Sequence, residues 1–238
     1  VEILKDPALR ARILSENPPD MLQGLLGDFH RLFELGDPPE YEPAPETSIA
    51  ARAERLGVEP NSLVYDLLLE QEGKALLYRP FLNYTDFDLE VSRQMLLDPH
   101  TVPGLSDAGA HCGMICDGSF PTYLLAHWGK DRSRGEKIPL EMLVKFQTAD
   151  TADLVGLEDR GRILPGLRAD LNLIDWEALR LESPVMVFDL PTGGKRLIQK
   201  AQGYRKTLVA GQTICENGEL TGIRPGRLVR GARSASAE

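Results

Sequence analysis

The sequence predicts an α/β chain that turns mostly β after residue 156, and three observations carry that prediction. Residues 74–107 run through an apolar extended stretch, a capped helical stretch and a second extended stretch, the strand–helix–strand unit of a parallel sheet or (β/α) barrel. Helical patterns with capping or Pro starts recur between residues 48 and 155. After Gly156, glycines and short β-branched runs take over, punctuated by turn signals at Pro165-Gly166, Gly193-Gly194 and Asn217-Gly218.

Taken in order, residues 6–14 place apolar side chains at helical spacing behind Asp6-Pro7, and Pro18-Pro19 stops them. Residues 28–35 suit a strand or an irregular extended piece, and 37–46, with Pro38, Pro39, Pro43 and Pro45 among acidic residues, a surface loop. A helical pair follows over 48–56 and 61–71, ended by Gly57 and Gly73, with Ile49, Ala53 and Leu56 on one face and Leu63, Leu67 and Leu68 on the next. Its outline is that of a helix-turn-helix. The second helix carries Asp66, Glu70 and Glu72, with no Lys or Arg to reach phosphates or guanines, so core packing is its expected role.

Residues 74–83 read as a strand, Thr85-x-x-Asp88 as the start of a helix that runs to about Leu97, and 101–106 as a second strand ending at Asp107. Further helices fit 121–127, 139–146 (Pro at the first turn) and 151–155. Strands fit 171–174 and 207–210, and Asn217-Gly218 marks a hairpin. The change of texture divides the chain into 1–156 and 157–238, with a polar tail over 230–238 that is expected to fray.

Composition narrows the function. With 27 basic against 36 acidic residues the 238-residue chain carries a net charge of −9, which argues against a nucleic acid partner, because neutralising phosphates takes a basic face. No run approaches the roughly 20 apolar residues of a membrane span, and no leader pattern opens the chain, so a soluble cytoplasmic protein is expected. The 3 cysteines do not describe a disulfide scaffold. The chain opens on Val1 rather than Met, which is consistent with processing or with truncation of something longer.

The densest chemistry lies between Gly104 and Gly118. Asp107 follows an expected strand, where α/β folds place catalytic groups because the next loop lines the crevice, and the small residues after it allow close approach of a substrate or metal. Ser-Asp-Ala-Gly is also ordinary turn chemistry, so a cap or turn role stands beside the catalytic one. Cys112, Cys116 and His111 allow a zinc site, although a structural zinc takes four ligands and Cys215 is remote; small core cysteines are the other reading. His30, His100 and His127 follow no metal-ligand spacing. Gly-x-Ser-x-Gly, P-loop and Gly-x-Gly-x-x-Gly motifs are all missing from the sequence.

Three segments resemble the amidohydrolase superfamily, and within it the N-acyl-D-amino-acid deacylase branch. They are Gly104-Leu105-Ser106-Asp107-Ala108-Gly109-Ala110-His111, Thr148-Ala149-Asp150-Thr151-Ala152-Asp153-Leu154-Val155-Gly156-Leu157, and the stretch from Asp159-Arg160-Gly161 through Pro165-Gly166 to Ala169-Asp170-Leu171. Ser119-Phe120-Pro121 and Thr221-Gly222-Ile223-Arg224-Pro225-Gly226 point to the deacylase-like branch. The resemblance implies the last units of a (β/α)8 TIM barrel over 1–156 and part of a small β-sandwich over 157–238. It further implies a divalent metal, most often zinc, that activates water against the amide of a small acylated amine.

In that reading Asp107 is both a metal ligand and the carboxylate that passes a proton from water to the leaving nitrogen, while Asn83 and His111 shape the substrate pocket. The superfamily's other ligands, a His-x-His pair, a Cys or modified Lys and two further histidines, have no counterpart in the right order. Eight βα units also take about 250 residues. The expectation is therefore the C-terminal part of a longer enzyme, inactive alone and needing its missing half or an oligomer to cover exposed barrel edges. A cyclic-amide hydrolase of the hydantoinase or dihydroorotase kind is the same-fold alternative, and a non-catalytic binding or assembly module the alternative from another class.

Overall fold

The structure is a computed structural model that describes residues 1–16 and 27–229. Pro18-Pro19 and the 230–238 tail lie outside the described residues. The chain mixes helix and strand and divides into two compact units, Val1–Gln94 and Met95–Glu238.

In the first unit, helix α1 (Pro7–Ser15) begins where expected because the Asp6 carboxylate accepts the Leu9 N–H at 2.8 Å and Pro7 needs no partner at the first turn. The helical pair also forms, as α2 (Ile49–Leu56) and α3 (Pro60–Gly73). Ser48 Oγ accepts the Ala51 N–H, and α2 ends with Gly57 in the left-handed region (φ 67°), where Val58 N–H reaches Ala53 O and Gly57 N–H reaches Glu54 O. That sharp stop folds α3 back so that Ile49, Ala53, Leu63 and Leu67 close over Leu32 as one apolar core. Arg10 clamps α1 to α3 through both carboxylate oxygens of Asp66, at 3.1 and 2.9 Å. Regular helical dihedrals in α3 stop before Glu70.

Two expectations change here. Residues 28–35 split into a 3-10 turn (Phe29–Arg31) and a short strand β1 (Phe33–Glu34), and the strand expected over 74–83 shrinks to β2 (Leu77–Tyr78). The two strands pair antiparallel, Phe33 opposite Tyr78, so 74–107 does not form a parallel strand–helix–strand unit. Pro80 explains the short strand, since it offers no N–H to a ladder. Beyond it Tyr84 is buried, with its hydroxyl on Pro43 O at 2.6 Å and its ring edge-on to Phe33. Glu42, also buried, accepts the Leu89 N–H just ahead of helix α4 (Glu90–Leu97), and Asp88 accepts the Glu90 N–H.

The second unit holds α5 (Phe120–Ala126), α6 (Leu140–Lys145) and α7 (Thr151–Leu154), close to the expected positions. The first two run on into π-helical turns, His127–Asp131 and Phe146–Asp150. The π turn after α5 buries Trp128 beside Gly129, where a Cβ would lie 2.9 Å from the Trp176 ring. Arg132 is buried under it, its guanidinium 4.8 Å from the Trp128 ring centroid. Helix gives way to strand after Leu154: β3 (Leu171–Ile174), β4 (Arg180–Leu181), β5 (Val185–Leu190), β6 (Gly194–Ile198), β7 (Ala201–Gln202), β8 (Tyr204–Val209), β9 (Gln212–Glu216) and β10 (Glu219–Leu220). A four-stranded sheet runs β10-β9-β8-β3, and β4 with β7 and β5 with β6 make two-stranded pairs.

The Asn217-Gly218 turn joins β9 and β10 as its sequence demands. Every ladder among the described residues is antiparallel. The expected strand over 101–106 is irregular instead: Pro103 lacks a donor, Gly104 weakens any strand, and no described strand pairs with it. Among the described residues, no helix is long and apolar enough to cross a membrane.

Candidate active site

The Gly104–Gly118 stretch is a loop whose two ends meet. The Asp117 N–H donates to Asp107 O at 3.3 Å, and a Cβ on Gly118 would sit 3.3 Å from that of Ala108. Between these ends His111 takes the left-handed conformation (φ 50°), and its carbonyl accepts the N–H groups of Met114 (2.7 Å) and Ile115 (3.0 Å), which turns the chain back.

One side of the loop is tied to strand β6, where Leu197 N–H donates to Cys112 O at 2.7 Å. The other side leads straight into α5. Phe120 N–H donates to Asp117 O, Ser119 O accepts the N–H groups of Thr122 and Tyr123, and the Ser119 hydroxyl bonds Gln199 Oε1. Gln199 in turn donates to Glu182 O at 2.8 Å. The loop is therefore carried by a helix start and a β hairpin, a scaffold that positions its polar groups while leaving Asp107 and His111 exposed.

The structure adds Asp117 to the residues singled out by sequence. Although the residue is exposed overall, partial burial of its carboxyl, and after that the charge of Asp107, push it above the ordinary aspartate range. Two carboxylates ten residues apart, flanking a Gly- and Ala-rich loop, are the sequence signal for such a pair. Cys116 is raised as well, by burial first and the Asp117 charge second, which disfavours its thiolate.

Asp107 and His111 share the loop. Asn83 belongs to the first unit, where it is exposed and, like His111, left-handed (φ 59°). Among the described residues no three His, Cys, Asp or Glu side chains converge to hold a metal ion. His111, Cys112 and Cys116 thus do not build the zinc site that their spacing allows, and the described residues do not fit a complete metal centre around Asp107 either.

A model of the amidohydrolase family matches residues 46–215, a span that contains Asn83, Asp107, His111 and Asp117. The chain belongs to the amidohydrolase family, a family of hydrolases. No curated protein and no solved structure matches it.

Proposed function

We propose that this chain serves the hydrolysis of a linear amide, an N-acyl-D-amino acid, with Asp107 taking a proton from the attacking water and returning it to the leaving nitrogen. The observation that carries the reading is the exposed Asp107 carboxylate at the neck of a loop anchored on both sides, inside the span that matches the family. A carboxylate in that position reaches a bound substrate while its backbone stays fixed, which is what proton transfer in a transition state requires. His111, on the same loop as Asp107 and in the left-handed region, is assigned a substrate contact. The same reading places residues 1–156 in the last units of a (β/α)8 barrel and 157–238 in part of a β-sandwich. A divalent metal such as zinc belongs to it too, but the described residues do not assemble its ligands, and the role of Asp107 stands apart from it.

The test is turnover of N-acetyl-D-amino acids by the protein as its source produces it, with and without Asp107→Asn. The expected loss is about 10²–10⁴-fold in turnover; near wild-type activity in the variant overturns the role. Faster turnover of a hydantoin or dihydroorotate would move the substrate to a cyclic amide. The scattered metal-ligating residues favour a second reading, a non-catalytic binding or assembly module. A folded, metal-free protein with no turnover of either substrate class selects it.

A further inference from the structure

Away from the Asp107 loop, the second unit carries a cleft of about 460 Å³. Arg168, Arg224 and Arg227 line it together with Gln212 and Gly226. Arg168 is oriented by Asp170, whose two carboxylate oxygens lie 2.9 and 3.0 Å from its Nε. The same carboxylate accepts Arg160 Nη1 at 3.0 Å and the Ala210 N–H at 2.8 Å, while Arg160 also pairs with Asp159. Two arginines and two aspartates therefore balance one another behind the cleft, and Asp170 has little capacity left to serve a third cation.

Arg224 and Arg227 have no hydrogen bond or ion pair among the described residues, so within those residues they stand as two positive charges without a carboxylate partner. None of the described residues that line the cleft is acidic. Both arginines keep their charge at any pH the protein meets. Their planar guanidinium forks match oxyanions bidentately.

We propose that this cleft binds a small dianionic oxyanion, a phosphate group or a dicarboxylate, held by Arg224 and Arg227 with Arg168 behind them. Two surplus charges suit a dianion rather than a single carboxylate. A small anion is favoured over a polyanion, because a cleft of about 460 Å³ takes a phosphate group or a short dicarboxylate whole, and screening over about 8 Å confines the favourable field to the cleft itself. The inference is independent of the role of Asp107.

The test uses the 238-residue chain. Inorganic phosphate and succinate are titrated separately while the arginine Nε–Hε resonances are followed, with sodium chloride at matched ionic strength as the control. The expected result is saturable shifts of Arg224 and Arg227 with at least one of the two anions, with a dissociation constant on the order of 1 mM for an open site. The tighter of the two anions identifies the chemistry.

Arg224→Gln with Arg227→Gln is expected to weaken binding on the order of tenfold or more with the melting curve unchanged, and Arg227→Lys to weaken it less. Arg227→Lys keeps the charge and so tests the site even if the double variant does not fold. Non-saturating shifts with both anions, equal shifts with chloride, or an undiminished affinity in a folded double variant overturns the proposal. Tighter binding of a short single-stranded oligonucleotide than of phosphate overturns it as well, in favour of a nucleic acid surface.

Discussion

The α2–α3 core of the first unit and the Gly104–Gly118 loop of the second are built on opposite terms. Ile49 and Ala53 are 0% and 1% exposed and packed with Leu32, Leu63 and Leu67, whereas Leu105 and Met114 are 92% and 73% exposed in a loop held at its neck and along one hairpin. The core draws its stability from apolar burial, at roughly 25 cal/mol per Å² removed from water. The loop buries little and invests its few hydrogen bonds in placing a carboxylate pair. Stability and candidate chemistry therefore sit on different residues, and substitutions should separate them.

The largest effect should come from Ile49→Ala. Deleting a fully buried side chain between two helices is expected to cost about 2–5 kcal/mol in urea denaturation; a cost below 1 kcal/mol would mean that the core relaxes freely. Next comes Gly203→Ala in the second unit. Its φ is +98° and a Cβ would lie 2.7 Å from Leu179 Cα and 2.8 Å from Leu179 N, so backbone has to move, at about 1–3 kcal/mol in a thermal melt. Ser48→Ala removes the cap of α2 and should cost about 1 kcal/mol by the same melt.

The smallest stability effect is expected at Asp107→Asn, within about 0.5 kcal/mol in denaturation, because the residue is exposed and its structural bond is made by its carbonyl. That variant should instead lower the titration midpoint of Asp117, read by carboxyl NMR, since it deletes the like charge that raises it. The sign follows from linkage. Asp117 is raised in the folded state, so its contribution to stability is present at low pH and is lost as pH rises through the raised value. Asp107→Asn should narrow that window from above, and an unmoved Asp117 midpoint would show that the two carboxyls do not interact.

Much of the local architecture was legible. Asp6-Pro7, Ser48 and Gly57 mark helix ends through hydrogen bonds that span only a few residues, and Asn217-Gly218 marks its hairpin because two adjacent residues set the turn. The extended runs at 74–83 and 101–106 misled because a strand exists only if another strand pairs with it, and pairing is not written in either partner alone. Leu77–Tyr78 found an antiparallel neighbour in Phe33–Glu34, and 101–106 found none among the described residues. The β5–β6 hairpin announced only its Gly193-Gly194 turn.

At the candidate site, Asp107 and His111 stood out by type and neighbourhood, while Asp117 needed the folded loop. The sequence by itself determined many of the helix ends, the β-rich stretch after residue 156, the acidic net charge and the loop that carries Asp107, all consequences of short-range dihedral preference and side-chain chemistry. Only the tertiary structure decided which strands pair and in what sense, that Asp117 closes the loop against Asp107, and that Arg224 and Arg227 join Arg168 at one cleft. These depend on contacts between residues far apart in the chain, whose free energy comes from packing and desolvation that exist only once both partners are in place.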